Sequence, residues 1–181
     1  AHGCLIHRPA QTFRSIIPFR HHDVPVPIRG HGADHAAAFH LFQQSRCAVV
    51  ANEIKGTGGH CEYLAGDLLD PETSINAVQN CISHFGRIDA LFNVAGISGR
   101  KFGDAPLHEC TENGWDMTMD ANAKTSFLMS RAVLNQMLVQ EINPAGLRGT
   151  ILNMASVLAF SPEPNHFAAH AYAASKGAII S

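Results

Sequence analysis

The chain has 181 residues, of which 13 are basic and 15 are acidic, so its net charge at neutral pH is −2. This balance lacks the excess of positive charge that would hold a polyanion, which excludes nucleic acid as an expected partner. Apolar residues make up 46% of the sequence, enough for one buried core, and no apolar run approaches the length of a membrane span. We therefore expect one core and no membrane partner.

The cysteine and histidine patterns give neither a disulfide framework nor a metal site. The five cysteines are scattered without a Cys-x-x-Cys pair, which favours reduced thiols and a cytoplasmic location. Some of the twelve histidines lie one helical turn apart, as His31 and His35 do, but no His-Glu-x-x-His pattern occurs. We expect no metal.

Residues 1–27 contain no clear element. Arginines without a nearby acid are typical of organellar transit peptides, but the six-residue spacing of Arg8, Arg14 and Arg20 scatters them around a helix. The alternative is a fragment edge or an unrelated sequence joined to the domain. We expect a divergent or unstructured segment over 1–27 and a domain over 28–181.

Strands and helices alternate after about residue 45. Apolar runs predict strands at 47–51, 62–65, 88–92 and 149–155, the last as a buried strand. Asp70-Pro71-Glu72 is a strong helix start and Gly86 a helix stop. Another helix is predicted from about Thr111 to Glu141, and a last one around Tyr172. The alternation implies an α/β fold with a doubly wound parallel sheet.

Apolar spacing supports both of these helices. The first helix has apolar residues at helical spacing, namely Ile75, Val78, Ile82 and Phe85. The long helix has apolar residues that can cover the sheet, namely Phe127, Leu128, Val133, Met137 and Leu138.

Tyr172 and Lys176 stand four residues apart in a helical segment, which puts a phenol and an ammonium on one face. A tyrosine hydroxyl exchanges protons poorly at neutral pH unless a cation favours the phenolate. Ser156 follows the 149–155 strand, and the 88–92 strand leads into Asn93-Val94-Ala95-Gly96. Because ligands bind at the carboxyl ends of strands in open α/β sheets, both strands point to one crevice.

These motifs resemble the short-chain dehydrogenase/reductase family from about Arg46 to the last residue. Asn93 to Gly96 is similar to the family's Asn-Asn-Ala-Gly segment with its second position changed, and Asn122 matches the helix asparagine. Ser156 matches the catalytic serine, and Tyr172-x-x-x-Lys176 matches the catalytic tyrosine–lysine pair. The resemblance implies a Rossmann-like sheet, truncated at its carboxyl end.

The resemblance also implies a reaction, the transfer of a hydride between a nicotinamide cofactor and a carbonyl or secondary alcohol. Tyr172 would exchange a proton with the substrate oxygen, and Ser156 would hydrogen-bond the same oxygen. Lys176 would favour the phenolate and, with Tyr172, contact the cofactor ribose, while Asn122 would fix a water that relays protons. The loop at 161–166 is longer than usual for the family and is expected to border the substrate.

Further positions are assigned to the cofactor by the resemblance. Gly30 and Gly32 would approach the pyrophosphate, although Asp34 stands where a third glycine is expected; the alternative is that this glycine pair is merely a turn. Asp67 resembles the family's contact to adenine. The three residues Asn93, Ala95 and Gly96 would line the cofactor.

The choice between NAD and NADP depends on the end of the 47–51 strand. Asn52 lies where the family often has aspartate, and Glu53 follows it. An acid there favours NAD, whereas a basic residue accepts the phosphate of NADP. The absence of a nearby arginine favours NAD, while Lys55 leaves NADP open.

Two functions remain. The first is an NAD(P)-dependent oxidoreductase acting on a small-molecule carbonyl or alcohol, which the resemblance implies is a homo-oligomer, a dimer or tetramer. The alternative is a catalytically inactive dehydrogenase-like fragment or binding module. Because the chain ends about one turn after Lys176, an open sheet edge is expected to leave it a poor enzyme of marginal stability.

Overall fold

A parallel sheet of five strands forms the centre of the structure, with the order β3-β2-β1-β4-β5. The computed structural model describes residues 14–18, 37–41, 44–161 and 163–181, and side chains from residue 47 on. The strands are β1 (Arg14–Pro18), β2 (Ala37–Leu41), β3 (Cys61–Leu64), β4 (Ala90–Asn93) and β5 (Thr150–Asn153). Strand β1 pairs with β2 on one side and β4 on the other. The chain therefore reverses direction across the sheet between β1 and β4, where open α/β folds form their ligand crevice.

Five α-helices accompany the strands within the described residues. They are α1 (Gln44–Gly56), α2 (Pro71–Phe85), α3 (Glu112–Met119), α4 (Thr125–Val139) and α5 (His170–Ile180). Short 3-10 helices lie at Arg100–Phe102 and Val157–Ala159, and a π turn, Asp120–Lys124, joins α3 to α4. The predicted doubly wound, Rossmann-like α/β arrangement is confirmed.

Helix α2 begins and ends where the sequence predicts. The Asp70 carboxylate accepts a hydrogen bond from the Glu72 N–H over 3.1 Å, and Pro71 occupies the first turn. Gly86 adopts the left-handed conformation, with φ of 79°, and donates its N–H to the Ile82 carbonyl. Both ends depend on local chemistry, which is why the sequence alone predicts them.

The main core lies where α2 and α4 meet the sheet. Its buried members are Leu68, Ala77, Cys81, Ile88, Leu91, Ala95, Met129, Val133 and Met137. The predicted core positions Leu128, Val133 and Met137 are buried. The same prediction is wrong for Phe127 and Leu138, which are 56% and 61% exposed, because each lies about 100° around the helix from the buried stripe.

The strand predicted at 47–51 is wrong, because these residues lie within α1. Cys47 and Ala51 are buried and four residues apart, while Val49 between them is exposed. That pattern is helical, but an apolar run of five residues cannot distinguish a buried strand from a helix face. Ala51 packs instead against Cys61 of β3.

Strand β5 exists as predicted but is not buried. Among the described residues it pairs with β4 alone, and Leu152 is 57% exposed. The apolar run predicted burial because such runs are typical of central strands, whereas β5 occupies an edge of this sheet.

The amino-terminal part of the sheet includes a strand from the segment 1–27. Strand β1 belongs to the segment 1–27 that the sequence predicted to be divergent or unstructured, yet residues 14–18 lie in the sheet. The domain boundary at 27/28 stays a prediction. Gly30, Gly32 and Asp34 lie outside the described residues.

None of the helices in the described part of the chain has the length and apolar character needed to cross a membrane.

Candidate active site

Asn122 lies at the centre of the π turn and is fully buried. Its Oδ1 accepts a hydrogen bond from the Ile97 N–H over 2.7 Å, and its Nδ2 donates to the Ile97 carbonyl over 3.0 Å. The second Nδ2 hydrogen is donated to the Ser175 hydroxyl, 2.9 Å away. A π turn widens the helix locally and is frequent at functional sites. Here it holds an asparagine whose side chain joins the loop after β4 to α5.

Two hydroxyl groups donate hydrogen bonds to carbonyl groups of this turn. Thr125 donates its hydroxyl to the Ala121 carbonyl over 2.8 Å, and Ser126 donates to the Asn122 carbonyl over 2.8 Å. The carbonyls of Ala121 and Asn122 in the π turn therefore each accept a hydrogen bond from a hydroxyl group.

Gly96 lies against both Asn122 and Lys176. A Cβ atom on Gly96 would stand 2.7 Å from Asn122 Oδ1 and 3.5 Å from Lys176 Nζ. The first distance is too short for any real side chain, so the close approach of these three residues requires glycine.

Lys176 is an ammonium buried at the carboxyl end of β5. It is 4% exposed, and its Nζ donates to the Met154 carbonyl over 2.7 Å. The same Nζ lies 5.7 Å from the centre of the Tyr172 ring, within the range of a cation–π contact. The predicted pair thus shares one face of α5, with the cation tied to the strand end.

Ser156 follows β5 and caps the short helix Val157–Ala159. Its hydroxyl oxygen accepts a hydrogen bond from the Leu158 N–H over 3.2 Å, and that helix contacts α5. A serine hydroxyl that accepts one bond can still donate its hydrogen to another oxygen.

The beginning of α5 is held by Asp104, a residue that the sequence analysis did not single out. Its Oδ1 accepts from the Ala171 N–H over 3.0 Å, and its Oδ2 accepts from the Tyr172 N–H over 2.9 Å. Asp104 is 3% exposed. No local pattern signals this contact, because the partners are 67 and 68 residues apart in the sequence.

Ser175 is a second residue that the sequence analysis missed. It is fully buried, accepts from Asn122 and donates its hydroxyl to the Tyr172 carbonyl over 2.7 Å. Its place inside the Tyr172-x-x-x-Lys176 motif was the available signal.

Asn93 ends β4 and joins it to its neighbours. Its Nδ2 donates to Ser130 of α4 over 2.9 Å and to Asn153 of β5 over 2.8 Å. Its Oδ1 is buried and has no hydrogen-bond partner in the described part of the chain. Ala95 next to it is buried as well. A cofactor-lining role for Asn93, Ala95 and Gly96 stays a prediction.

Asn52 and Glu53 do not lie at a strand end. Both are exposed residues inside α1, so they do not occupy the strand end on which the expected preference for NAD depended. The strand that precedes α1 in the structure is β2, which ends at Leu41. Lys55 forms an ion pair with Glu62 over 2.9 Å, and that hydrogen bond raises the pKa of Lys55.

Asp67 follows β3 on the exposed surface. Its Oδ1 accepts from the Leu69 N–H over 2.9 Å, which fixes the turn before α2. Its predicted contact with adenine is not tested by this geometry.

Comparison with known proteins adds sequence evidence to this geometry. The profile of the short chain dehydrogenase family matches residues 31–181. The 2-dehydro-3-deoxy-D-gluconate 5-dehydrogenase of Dickeya dadantii (strain 3937) is 35% identical over 128 residues, covering 71% of this chain and 46% of that protein. The cyclopentanol dehydrogenase of Comamonas testosteroni is 32% identical over 127 residues, covering 70% and 46%. The chain therefore spans about half the length of these curated relatives.

Solved structures share the fold. An NAD⁺-bound xylitol dehydrogenase superimposes with a TM-score of 0.74 at 22% identity, covering 96% of this chain and 63% of that one. A dehydrogenase/reductase from Sinorhizobium meliloti 1021 gives a TM-score of 0.70 at 25% identity, covering 94% and 64%.

Proposed function

The chain belongs to the short-chain dehydrogenase family, and from this premise we propose that its protein is an oxidoreductase that transfers a hydride between a nicotinamide cofactor and a small-molecule carbonyl or secondary alcohol. The observation that carries the proposal is the buried Lys176 ammonium, which is tied to the Met154 carbonyl and lies beside the Tyr172 ring.

Tyr172 is the proposed proton donor and acceptor. Lys176 places its Nζ 5.7 Å from the centre of the Tyr172 ring, on the same face of α5. Ser156, at the end of the same strand that Lys176 contacts, would donate a hydrogen bond to the substrate oxygen.

Asn122 is proposed to hold the geometry of this site. Both hydrogens of its Nδ2 are used, one on Ile97 and one on Ser175. It therefore fixes the loop after β4 against α5, while the proton relay implied by the resemblance stays a prediction.

A nicotinamide cofactor would supply the hydride or accept it. The groups that would hold it are Lys176, whose ammonium suits the hydroxyls of a ribose, and the backbone of Ala95 and Gly96, which has no side chain beyond a methyl group in the way. Asn93 Oδ1, buried without a partner in the described residues, is a further acceptor beside them. The chemistry of these groups fits a ribose and an amide.

We propose NAD as the preferred form of the cofactor. Strand β2 ends at Leu41, and no lysine or arginine follows until Arg46 in the first turn of α1. A 2′-phosphate needs a basic partner near this strand end. Arg46 is therefore the residue to test for NADP binding.

The substrate is proposed to be a small molecule carrying a secondary hydroxyl or the corresponding carbonyl, and the protein to be a cytoplasmic homo-oligomer. One relative is named for its action on cyclopentanol and another for glucose, so both compounds are suitable first substrates.

The alternative is a dehydrogenase-like module that binds the cofactor without turnover. Leu152 and Met154 are exposed apolar groups close to the proposed site, and exposed apolar patches are typical of binding surfaces.

One set of measurements separates the two functions. NADH fluorescence and thermal protection report binding, and absorbance at the nicotinamide band reports oxidation of cyclopentanol or glucose. Binding with turnover that Tyr172→Phe abolishes would support the oxidoreductase. Binding without turnover would support the module, and no binding of NADH or NADPH would refute both.

A further inference from the structure

We propose that Asp104 is a positioning residue for the tyrosine, because its buried carboxylate anchors the first turn of α5 to the segment that follows β4. The inference rests on the proposed function in that Tyr172 is taken as the proton-transfer group. The anchoring itself can be measured without turnover.

Helix α5 has no cap of its own. The residue before its first turn is Ala169, which carries no side-chain acceptor, and no side-chain cap bond forms there. The first N–H groups of a helix have no partner within the helix and must be satisfied from outside. The four residues before α5, His166 to Ala169, include no serine, threonine, aspartate or asparagine.

Asp104 and Ala105 supply the hydrogen-bond acceptors for the first N–H groups of α5. The His170 N–H donates to the Ala105 carbonyl over 3.4 Å, and the Ala171 and Tyr172 N–H groups donate to the two Asp104 oxygens. The Ala173 N–H is the first of these amides whose partner lies four residues before it, the Ala169 carbonyl. The unpaired amides at the beginning of α5 are therefore all satisfied by one distant segment.

The position of Asp104 is itself fixed. Gly99 and Gly103 before it both have positive φ, 75° and 102°, and the Asp104 N–H donates to the Gly99 carbonyl over 3.3 Å. Gly114 of α3 packs so closely that a Cβ on it would overlap the backbone of Gly103 and Asp104. A carboxylate placed by such close backbone contacts can set the position of whatever it binds.

A second bond joins the same two segments. Arg100 donates its guanidinium to the His166 carbonyl over 2.6 Å. The loop before α5 and the helix start are thus both attached to residues 99–105, and the bond from Asp104 reaches the Tyr172 backbone.

The consequence concerns Tyr172 more than Lys176. The bond from Asp104 is to the Tyr172 backbone, whereas Lys176 lies one turn further along and is held separately by the Met154 carbonyl. Misplacement by about 1 Å can lower a rate on the order of 100-fold. Loss of Asp104 should therefore reduce proton transfer while leaving most cofactor binding intact.

The test compares Asp104→Ala and Asp104→Asn with the matched control Asp116→Asn, which removes the same charge from an exposed position of α3. With NAD⁺ and cyclopentanol as probes, we expect kcat to fall by about tenfold or more in Asp104→Ala, with a smaller fall in Asp104→Asn, which keeps one acceptor. The NADH dissociation constant should stay within about threefold, and the control should match the unmodified chain. A parallel loss of kcat and NADH affinity would overturn the proposal, because it would indicate a general loss of structure.

A second readout works on the chain without any turnover. Tyr172 and Tyr63 are the two tyrosines, so Tyr63→Phe leaves the ring signals of Tyr172 alone in a tyrosine-labelled NMR spectrum. Asp104→Ala in this background should speed amide hydrogen exchange at 171 and 172 but not at Gly177, and should broaden or split the Tyr172 ring signals. Unchanged exchange and unchanged ring signals would refute the anchoring. If the unmodified chain neither binds NADH nor turns over, the proposed function fails, and these signals alone decide the Asp104 proposal.

Discussion

Ile97 and Asn122 exchange two hydrogen bonds, the Ile97 N–H donating to Asn122 Oδ1 over 2.7 Å and Asn122 Nδ2 donating to the Ile97 carbonyl over 3.0 Å. A third bond, from the same amide to Ser175, reaches α5. One buried side chain therefore satisfies the backbone of a loop and the hydroxyl of a helix at the same time. Each group left unpaired in such a buried place costs about 1–3 kcal/mol.

Replacing Asn122 by alanine should lower the free energy of unfolding by about 2–4 kcal/mol, because the Ile97 backbone groups would lose their partner in a buried site. Urea unfolding followed by circular dichroism measures it. Asn76→Ala, at an exposed position of α2, is the matched control and should change stability by less than about 0.5 kcal/mol. Equal effects of the two substitutions would contradict the role of the Ile97 contact.

Replacing Gly96 by alanine should destabilise the fold by about 1–3 kcal/mol and weaken NADH binding, because the new Cβ would displace the Asn122 amide. Gly177→Ala in α5 is the control, since nothing lies within 4 Å of the position of its Cβ. That change should be neutral or stabilising by up to about 1 kcal/mol, as alanine favours a helix over glycine. Thermal unfolding and NADH titration check both variants, and a stable Gly96→Ala with normal binding would argue against the tight contact.

Replacing Tyr172 by phenylalanine should remove most turnover in a complete, active form of the protein and leave NADH affinity within about threefold. The substitution deletes the proposed proton-exchanging hydroxyl but preserves the ring over which Lys176 lies. Steady-state kinetics and fluorescence titration measure the two quantities. Tyr63→Phe is the control, and retained turnover in Tyr172→Phe would count against the assignment.

Burial raises the pKa of the Cys61 thiol from 9.0 to about 11. As the pH rises, the Cys61 thiol ionises in the unfolded chain before it ionises in the folded chain. Cys61 therefore contributes stability that is fully present below pH 9 and is lost as the pH rises through about 11. The melting temperature should therefore fall less steeply between pH 9 and 11 in Cys61→Ala than in the unmodified chain.

Iodoacetamide labelling with mass spectrometry adds a second measure, in which the half-buried Cys110 should react before Cys61 at pH 8. Equal labelling rates would refute the expected difference.

Replacing Glu53 by alanine should leave the ratio of NADH to NADPH affinity unchanged, because Glu53 is an exposed residue inside α1. Replacing Arg46 by alanine should lower NADPH affinity relative to that of NADH, since Arg46 is the first basic residue after β2. Fluorescence titrations with both cofactors give the ratios. A changed ratio of NADH to NADPH affinity in Glu53→Ala would contradict the placement of Glu53 away from the cofactor. An unchanged ratio in Arg46→Ala would contradict the proposed role of Arg46 in NADP binding.

Local chemistry decided which parts of the fold the sequence could predict. Helix α2 followed from Asp70, Pro71 and Gly86, because a cap, a proline and a left-handed glycine act within a few residues. The strand predicted at 47–51 was wrong, because its five apolar residues are compatible with either a strand or one face of a helix. The prediction that β5 is buried was wrong, because burial depends on the order of strands in the sheet, and the sequence of one strand does not determine that order.

The sequence likewise predicts some residues of the candidate site and not others. The Tyr172 and Lys176 pair is visible because both groups lie on one helix, and Asn122 because it stands in a recognisable motif. The partners that place them come from elsewhere in the chain, as Ile97 does for Asn122 and Met154 does for Lys176. Such contacts depend on tertiary packing, so side-chain spacing along the sequence cannot predict them.

The bonds from Asp104 to the start of α5 also bear on how the chain folds. They close a loop of 67 residues, and contacts between such distant positions are slow to form because chain entropy must be lost first. During synthesis Asp104 emerges long before α5, and until that helix docks its carboxylate stays hydrated at the surface. We therefore expect the burial of Asp104 and the docking of the Tyr172 backbone to occur together and late in folding. We expect a chain caught before that event to have the start of α5, and with it the Tyr172 backbone, still unanchored.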